Sequence, residues 1–262
     1  MPPLTAILIA YNEEENLPRA LASLEGVADE IVLVDSGSTD RTVEIGQRFG
    51  ARVFTKPFAG FAEQKNYAAE QAANDWLFSM DCDEALSPEL RQSLLEWKRS
   101  EPDRAGYEVS RFTKYLGRWI RHSGWYPDYI VRLYRRDRGQ FFGLLHENVR
   151  FTGPPGRLVG ELQHFTMNSV AEHAAKVDSF TTIAAQDYFQ RGRKSWRIPM
   201  LLLPPWTFFQ SLVLRLGLLD GYRGWLIAWM AARYVFLKYY RLGLLRRGGP
   251  PLGETMPPPH GN

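Results

Sequence analysis

The first hundred residues alternate short apolar runs with amphipathic, helix-like segments. The apolar runs are bounded by turn residues and do not alternate with polar positions, which is typical of strands buried on both faces. Strands that alternate with helices indicate βαβ units and a parallel sheet. The predicted strands cover 5–10, 30–35, 51–55 and 75–80, and the predicted helices cover 16–24, 38–50 and 61–72.

Beyond residue 100 the pattern changes. Residues 105–112 and 129–136 alternate like strands with one face in water. A helix is predicted from Ser169 to about Gln190. The Pro- and Gly-rich end of the chain, 248–262, is predicted to be disordered.

Two apolar runs lie in the C-terminal part of the chain, at 198–214 and 225–237. Pro204 and Pro205 interrupt the first run and Arg233 the second, so neither gives the roughly 20 uninterrupted apolar residues of a spanning helix. Arg, Lys, Trp and Tyr border both runs and suit the lipid headgroup zone. A buried hairpin, a pair of helices on a membrane surface and true spanning helices all stay open, and the sequence favours the second.

Composition and charge narrow the class of protein. The 262 residues are 45% hydrophobic and 23% charged, as in an ordinary globular protein. The single cysteine excludes an internal disulfide framework, and the N-terminal residues lack a secretory pattern, so we expect the bulk of the chain in the cytosol. The net charge of +3 is uneven: residues 191–247 carry +10 and residues 1–190 carry −6, which predicts different tasks for the two parts.

Polar segments follow three of the predicted strands: AYNEEEN (10–16), VDSGSTD (34–40) and MDCDE (80–84). Ligands of open α/β sheets bind beyond the carboxyl ends of the strands, so these segments should share one edge. Asp81 and Asp83 stand at positions i and i+2, which project the same way in an extended turn. The pair predicts a site for Mg²⁺ or Mn²⁺ bridging to phosphate, although a polar turn capping the next helix would show the same residues.

The other polar residues of this edge have two interpretations each. Asp35 either holds a tight turn with a Ser38/Thr39 helix cap or also accepts a hydrogen bond from a nucleotide. The acids after the first strand suit a helix N-terminus. Lys65 lies either on a solvated helix face or within reach of a diphosphate.

Several motifs in order along the chain carry a family resemblance. ILIAYNEEENLPRALASL, IVLVDSGSTDRTVEI, QKNYAAEQA and WLFSMDCDE resemble the N-terminal half of glycosyltransferase family 2 enzymes, which have the GT-A fold. WYPDYIVRLYRRDRGQF, LLHENV, GRLVGELQH and GLLDGYRGW are similar to one subgroup, the lipopolysaccharide core β-glucosyltransferases. The resemblance implies an α/β fold of the GT-A (Rossmann-like) type, a mostly parallel sheet flanked by helices. After this fold we expect a C-terminal helical region that associates with a membrane.

The resemblance also implies roles for residues on the donor side. The nucleotide-sugar would contact Ala10, Tyr11, Asn12, Glu13, Asp35, Ser36, Gly37, Lys65 and Asp81. A divalent cation, Mg²⁺ or Mn²⁺, would be held by Asp81, Asp83 and His164. A lone histidine such as His164 is also compatible with a structural role. Cys82 is expected to be a small buried spacer.

The acceptor side is predicted from chemistry. Inverting transfer needs a base for the attacking hydroxyl; Glu147 is our choice and Asp128 the alternative, although both also suit ordinary loops and turns. His146 would orient the acceptor or the base, or pack. Arg132 and Arg135 would bind phosphates of an anionic acceptor or solvate a sheet face, and Trp125 would stack on sugar or belong to the core.

The sequence therefore predicts an inverting, metal-dependent glycosyltransferase. It would move a hexose, glucose by resemblance to this subgroup, from a UDP-sugar to a membrane-anchored glycolipid such as the lipopolysaccharide inner core. A polyprenyl-phosphate or other envelope-glycan acceptor is the alternative. We expect a catalytic domain over 1–190, a membrane-associating region over 191–247, and residence on the cytoplasmic face of the inner membrane. A nucleotidyltransferase is disfavoured because AYNEEEN is acidic and lacks glycine, and no nucleic-acid partner is expected.

Overall fold

A computed structural model of the protein describes residues 1–143 and 148–249. The predicted base Glu147 and its neighbour His146 lie outside these residues, as does most of the predicted disordered tail. The chain forms two compact units. The first contains Met1–Phe112 and Asp128–Thr166, and the second contains Thr113–Pro127 and the described residues from Met167 to Gly249.

The main sheet begins with four parallel strands in the spatial order β3-β2-β1-β4. It continues in the spatial order β8-β6-β11-β5, in which β8 runs antiparallel to both β4 and β6, and β5 runs antiparallel to β11. The strands are β1 (Leu4–Ala10), β2 (Glu30–Asp35), β3 (Arg52–Thr55), β4 (Trp76–Ser79), β5 (Glu84–Leu86), β6 (Gly106–Tyr115), β7 (Arg118–Trp119), β8 (Asp128–Arg135), β9 (Gln140–Phe142), β10 (Asn148–Arg150) and β11 (Gly156–Met167). β7 pairs with the end of β6, and β9 pairs with β10 in a separate ribbon.

The predicted parallel sheet is confirmed for the first four strands, and the sheet as a whole is mixed. The first four strands are joined by helices and run parallel, as predicted. Beyond β4 the pairing changes, because β8 runs antiparallel to β4 and to β6, and β5 runs antiparallel to β11. Antiparallel strands need no helical crossover between them, which is why the βαβ pattern stops near residue 100.

The helices of the first unit lie close to their predicted positions. They are α1 (Leu17–Leu24), α2 (Thr42–Arg48), α3 (Phe61–Gln71) and α4 (Pro88–Arg99). Helix α2 begins four residues later than predicted because Ser38 and Thr39 do not cap it. Ser38 donates from its hydroxyl to Asp35, and the backbone N–H of Thr39 donates to Asn12, so both residues belong to the preceding turn.

The core of the first unit lies on both faces of the sheet. Leu8 and Phe78 pack in a cluster on one face, whereas Ile7 and Leu77 pack in another cluster. Neighbouring residues of a strand point to opposite faces, so both faces are covered, as the continuous apolar runs predicted. This rigid double layer holds the carboxyl ends of β1, β2 and β4.

The second unit is mainly helical. It contains α5 (Val170–Gln190), α6 (Arg197–Phe209), α7 (Tyr222–Arg246), a π-helical turn (Gln210–Leu214) and a 3₁₀ turn (Gly217–Asp220). Buried Ala185, Tyr239 and Leu242 join α5 to α7 in one apolar cluster. The compact units therefore divide the chain differently from the predicted boundary at 190. In the described part of the chain, no helix combines the length and the apolar character that crossing a membrane requires.

Candidate active site

The carboxyl ends of β1 and β2 are joined by a hydrogen-bonded turn. Ala10 pairs with Asp35, and the buried Asp35 carboxylate accepts the backbone N–H groups of Gly37 and Ser38 at 2.9 and 3.0 Å. The Ser38 hydroxyl in turn accepts the backbone N–H of Asn12 at 2.8 Å. Asp35 therefore fixes the shape of the turn, and the residues predicted to contact the nucleotide surround it.

Two further residues of this edge are held by side-chain contacts. The Ser36 hydroxyl accepts a hydrogen bond from Gln64 of α3 at 2.9 Å. Glu13 is buried; its backbone N–H donates to the Thr42 hydroxyl at 2.7 Å, and its carboxylate accepts from Asn16 at 2.9 Å. Glu13 thus links the loop after β1 to the starts of two helices.

Asp81, just beyond β4, lies between two buried cations. One carboxylate oxygen is 2.8 Å from Lys65 Nζ, and the other is 2.8 Å from Arg132 Nη2. Burial by itself raises the pKa of Asp81, but the charges of Arg132 and Lys65 outweigh burial and hold that pKa well below its usual range. Asp81 is therefore ionised at every physiological pH.

Glu84 shares Arg132 with Asp81. Its Oε1 lies 2.6 Å from Arg132 Nη2, and its Oε2 accepts the backbone N–H of Asp81 at 3.0 Å. The carboxyl group is fully buried, and burial raises its pKa although Arg132 opposes the shift. Glu84 thus holds both the backbone of the motif and its arginine.

Asp83 faces His164 across the β5–β11 pairing. Asp83 Oδ2 lies 3.2 Å from His164 Nε2, and both side chains are buried. The backbone N–H of Phe165 donates to the Asp83 carbonyl at 2.8 Å, which locks the two segments together. Among the described residues, buried Asp83 Oδ1 finds no hydrogen-bond partner.

Cys82 fills the variable position of the motif as a buried thiol. It donates to the Ile9 carbonyl at 3.2 Å. Burial, followed by the nearby carboxylates, raises its pKa well above the ordinary value, so the thiolate does not form at neutral pH. The structure agrees with the predicted role of spacer.

The residues around Asp83 fit part of a metal site. An unpaired buried carboxylate oxygen beside an imidazole nitrogen is a donor set that Mn²⁺ accepts. Across residues 1–143 and 148–249, however, no three or more His, Cys, Asp or Glu side chains are gathered around a metal position. Of the predicted ligands, the structure brings Asp83 and His164 together and commits Asp81 to Lys65 and Arg132.

The structure separates the two arginines predicted for the acceptor. Arg132 is buried with Asp81, whereas Arg135 pairs with Trp76 at the amino end of β4 and bonds to exposed Asp137. Five residues of strand, about 16 Å, separate that end from Asp81. Arg132 and Arg135 are also three residues apart on β8, so their side chains leave opposite faces of the sheet and do not converge on one position.

The other predicted acceptor residues also have structural partners. Asp128, the alternative base, accepts two N–H groups of Arg111 at 3.0 and 2.7 Å through one carboxylate oxygen. Trp125 packs edge-on against Tyr115 in an apolar cluster of the second unit. Trp125 is half-buried at the edge of this cluster, so sugar stacking and a packing role both stay open for it.

Sequence reasoning gave Glu84 no role and did not mention Arg19. Arg19, on α1, lies over the Phe165 ring at 3.8 Å, and burial lowers its pKa against the opposing charges of Asp83 and Glu13. The buried ion pair of Arg132 could have been predicted from sequence, because a charged residue inside an apolar strand is usually paired. No comparable local signal marked Glu84 or Arg19.

Comparison with known proteins gives the family of this chain. The family model described as Glycosyl transferase family 2 matches residues 5–152. The chain therefore belongs to glycosyl transferase family 2 and is a glycosyltransferase, with a mixed, GT-A-like sheet flanked by helices.

Particular relatives match most of the chain. It is 32% identical over 249 residues to the "Lipopolysaccharide core biosynthesis glycosyltransferase LpsC" of Rhizobium meliloti (strain 1021), covering 90% of each protein. It is 26% identical over 258 residues to an uncharacterized glycosyltransferase of Rickettsia typhi, covering 94% of this chain and 87% of the relative.

Among solved structures, glucosyl-3-phosphoglycerate synthase from Mycobacterium tuberculosis with Mg²⁺ and UDP matches with 19% identity and a TM-score of 0.38. The match covers 52% of this chain and 57% of the synthase, so the chain spans little more than half the length of that protein.

Proposed function

We propose that this glycosyltransferase transfers a hexose, most simply glucose, from a UDP-sugar to a membrane-anchored glycolipid such as the lipopolysaccharide inner core. One observation carries the proposal. Asp35, Asp81 and Asp83 lie at the carboxyl ends of β2 and β4 in the first unit, where Lys65 and Arg132 contact Asp81 and His164 contacts Asp83. The name of the Rhizobium relative supports the lipopolysaccharide acceptor.

The donor would lie along the carboxyl ends of β1, β2 and β4. Asp35 and the loop from Ala10 to Glu13 would receive the uridine, with the backbone of Ser36 and Gly37 beside it. Lys65 and Arg132 would donate to the diphosphate, which carries the opposite charge. Asp81 would hold these two cations apart and aim them, because it contacts both.

A divalent cation would bind Asp83 and His164, completing its coordination with donor phosphate oxygens and water. There it would supply a Lewis acid that neutralises charge on the departing UDP. Asp81 would join the ligands only after exchanging one of its cationic partners. Asp83 Oδ1, buried and unpaired among the described residues, supports this assignment.

The transfer would be a single displacement with inversion. The acceptor hydroxyl oxygen would bond to the anomeric carbon while the bond from that carbon to the diphosphate breaks. Glu147 would take the hydroxyl proton, and Asp128 is the alternative base. Because one Asp128 oxygen already binds Arg111, Glu147 stays our first choice.

The acceptor would be reached at the cytoplasmic face of the inner membrane. The strongly basic residues 191–247 support a location at an anionic surface. A polyprenyl phosphate is the alternative acceptor; its phosphate oxygen would be the nucleophile and would need no strong base. Glu147→Gln separates the two: it should lower kcat about 10²–10⁴-fold with a hydroxyl acceptor, and unchanged turnover would favour the lipid phosphate.

The proposal is tested by UDP release from purified protein with Mn²⁺, across several nucleotide sugars, with and without detergent-dispersed core glycolipid. Asp83→Asn and His164→Gln should each lower turnover by about 100-fold or more. Asp137→Asn, an exposed acid paired with Arg135, is the matched control and should leave turnover unchanged. Release from no nucleotide sugar, even with acceptor, would contradict the proposal.

A further inference from the structure

The second unit exposes an unusually large apolar surface. Sixteen of the twenty-two large hydrophobic side chains exposed in the described chain lie between residues 198 and 240. We call them the apolar face: Ile198, Leu201, Leu202, Leu203, Trp206, Phe209, Val213, Leu214, Leu216, Leu218, Leu219, Tyr222, Trp225, Trp229, Phe236 and Tyr240. Contiguous apolar surface on this scale marks an interaction site.

Helix α6 carries the most exposed part of this face. None of its residues, all of them described, is buried, and Leu201, Leu202 and Trp206 are 66%, 64% and 52% exposed. The 13 residues of α6 would extend about 20 Å and are continued by the π-helical turn Gln210–Leu214. Helix α6 is therefore long enough to lie in a lipid surface.

Helix α7 adds an aromatic stripe. Tyr222, Trp225, Trp229, Phe236 and Tyr240 recur at helical spacing, so they share one side of the helix. Trp225 stacks on Trp229 with centroids 5.9 Å apart, and Phe236 stacks on Tyr240 at 6.0 Å. Trp and Tyr favour the boundary between lipid and water.

Contact between aromatic rings connects the two helices. Phe208 of α6 meets Trp225 of α7 edge-on, with centroids 6.3 Å apart. The exposed surface of α6 therefore continues into the stripe of α7.

The segment that carries the apolar face has almost only positive charges, although Asp178 and Asp187 of α5 pair with three of its arginines, Arg233, Arg241 and Arg191. Residues 191–247 contain eleven Lys and Arg and a single acid, Asp220. Asp220 is buried and accepts the backbone N–H of His122 at 3.1 Å, so it offers no negative charge at the surface. A second copy of the chain would bring like charges together in a self-complementary contact, whereas anionic lipid would neutralise them.

We propose that the apolar face inserts into the headgroup and upper acyl region of an anionic phospholipid bilayer. Helix α6 and the 3₁₀ turn would lie in the plane of the membrane, and cations such as Lys194 and Arg197 would meet lipid phosphates. The inference rests on the proposed membrane-borne acceptor, and it identifies the part of this chain that contacts lipid.

The test is co-sedimentation of the full chain with vesicles of phosphatidylcholine alone or mixed with phosphatidylglycerol. The protein should bind the mixed vesicles. Leu201→Gln/Leu202→Gln should weaken this binding by about tenfold or more, because both side chains lose their transfer into an apolar phase. Val159→Gln, which removes an exposed apolar side chain of the first unit, is the matched control and should bind like the parent.

Charge is tested separately. Lys194→Gln/Arg197→Gln should weaken binding to the mixed vesicles only, and added salt should have the same effect on the parent protein. Both double variants, Lys194→Gln/Arg197→Gln and Leu201→Gln/Leu202→Gln, change only exposed residues. Their circular dichroism and thermal unfolding should therefore match those of the parent.

Two results would overturn the inference. One is equal binding by the parent and by Leu201→Gln/Leu202→Gln, or no binding at all. The other is a concentration-dependent dimer that the leucine substitutions dissociate, which would assign the apolar face to a second copy. UDP release is measured in parallel with glycolipid dispersed in detergent, which needs no binding to a bilayer. Release without vesicle binding would overturn only the membrane contact, and loss of both would also count against the proposed function.

Discussion

Asp81 is a buried carboxylate whose two oxygens face two different cations, the ammonium of Lys65 and the guanidinium of Arg132. Arg132 also contacts Glu84, which is fully buried. Removing one member of such a cluster leaves a buried charge without a partner. The free energy of unfolding then falls by more than the ion pair itself contributed. These side chains therefore support the fold at the same place where they are proposed to hold the donor.

Arg132→Met tests this cost because it removes the charge and keeps much of the volume. The free energy of unfolding should fall by about 3–5 kcal/mol, since Asp81 and Glu84 lose their shared cation. Urea unfolding followed by tryptophan fluorescence measures the change. Arg135→Met, on the same strand, should stay within about 0.5 kcal/mol of the parent because its ion pair with Asp137 is exposed. Equal effects of the two substitutions would contradict the buried network.

At the scale of elements, strand β11 matters because it brings His164 to Asp83 and also passes close to helix α4. Gly160 of β11 has φ +98°, and a Cβ there would lie 2.2 Å from the backbone N of Leu90. Only glycine has both the conformational freedom and the small size for this crossing. The position of His164 thus depends on a close approach of strand to helix four residues away.

Gly160→Ala should therefore be among the most destabilising substitutions of the first unit. Gly153 provides the matched control: its φ is also +98°, but no described atom lies within 4 Å of the added Cβ. Gly153→Ala should lower the free energy of unfolding by about 1–3 kcal/mol, because alanine is unfavourable in this backbone conformation. Gly160→Ala should lower it clearly more. Thermal unfolding of both variants checks the order, and a reversed order would show that packing against α4 is unimportant.

Helix α5 of the second unit carries a histidine that titrates abnormally. His173 Nδ1 lies 2.9 Å from the Tyr115 hydroxyl. Burial, followed by the charges of Lys176 and Arg233, lowers the pKa of His173 to about 4. An unfolded histidine titrates near about 6.5, so between these values the unfolded chain binds a proton that the folded chain does not.

The contribution of His173 to stability should therefore be complete above about pH 6.5 and should be lost as the pH falls towards 4. The loss should be at most about 3 kcal/mol. Unfolding free energies at several pH values between 7.5 and 4.5 measure the slope. His173→Gln cannot take up the proton and should have a shallower slope than the parent; identical slopes would assign the pH dependence to other groups.

The molecule as a whole combines a mixed α/β unit, which contains the candidate donor site, with a helical unit whose net charge is positive. Any ligand that binds only the folded chain raises its stability by mass action. A nucleotide and a cation that occupy one site should therefore raise the unfolding temperature more together than either does alone. The shift can be measured without an assay of turnover.

UDP with Mn²⁺, at about 100 times its dissociation constant, should raise Tm by roughly 5–10 °C. Either ligand alone should give a smaller shift. Asp83→Ala should abolish the increment that Mn²⁺ adds to UDP, whereas Asp137→Asn should preserve it. An undiminished increment in Asp83→Ala would remove Asp83 from the proposed cation site.

Local pattern was enough to predict the elements of the first unit and the edge that carries chemistry. Apolar runs between turns marked β1, β2 and β4, and the ends of parallel strands meet at one edge whatever the details of packing. The sequence could not predict the start of α2, because Ser38 has equal local preference for capping a helix and for bonding to Asp35. The mixed sheet likewise depended on strand pairings that no local pattern specifies.

The sequence by itself determined which residues this protein has for its site: paired carboxylates after β4, an aspartate after β2 and a lysine on α3. Only tertiary structure decided their partners. His164 lies 81 residues along the chain from Asp83 and contacts it because β5 pairs with β11. Arg132 is buried against Asp81, whereas Arg135 forms an exposed ion pair with Asp137. Alternation along a strand and spacing along a helix are local properties. Burial, charge pairing and the exposure of apolar side chains depend on what packs against each element.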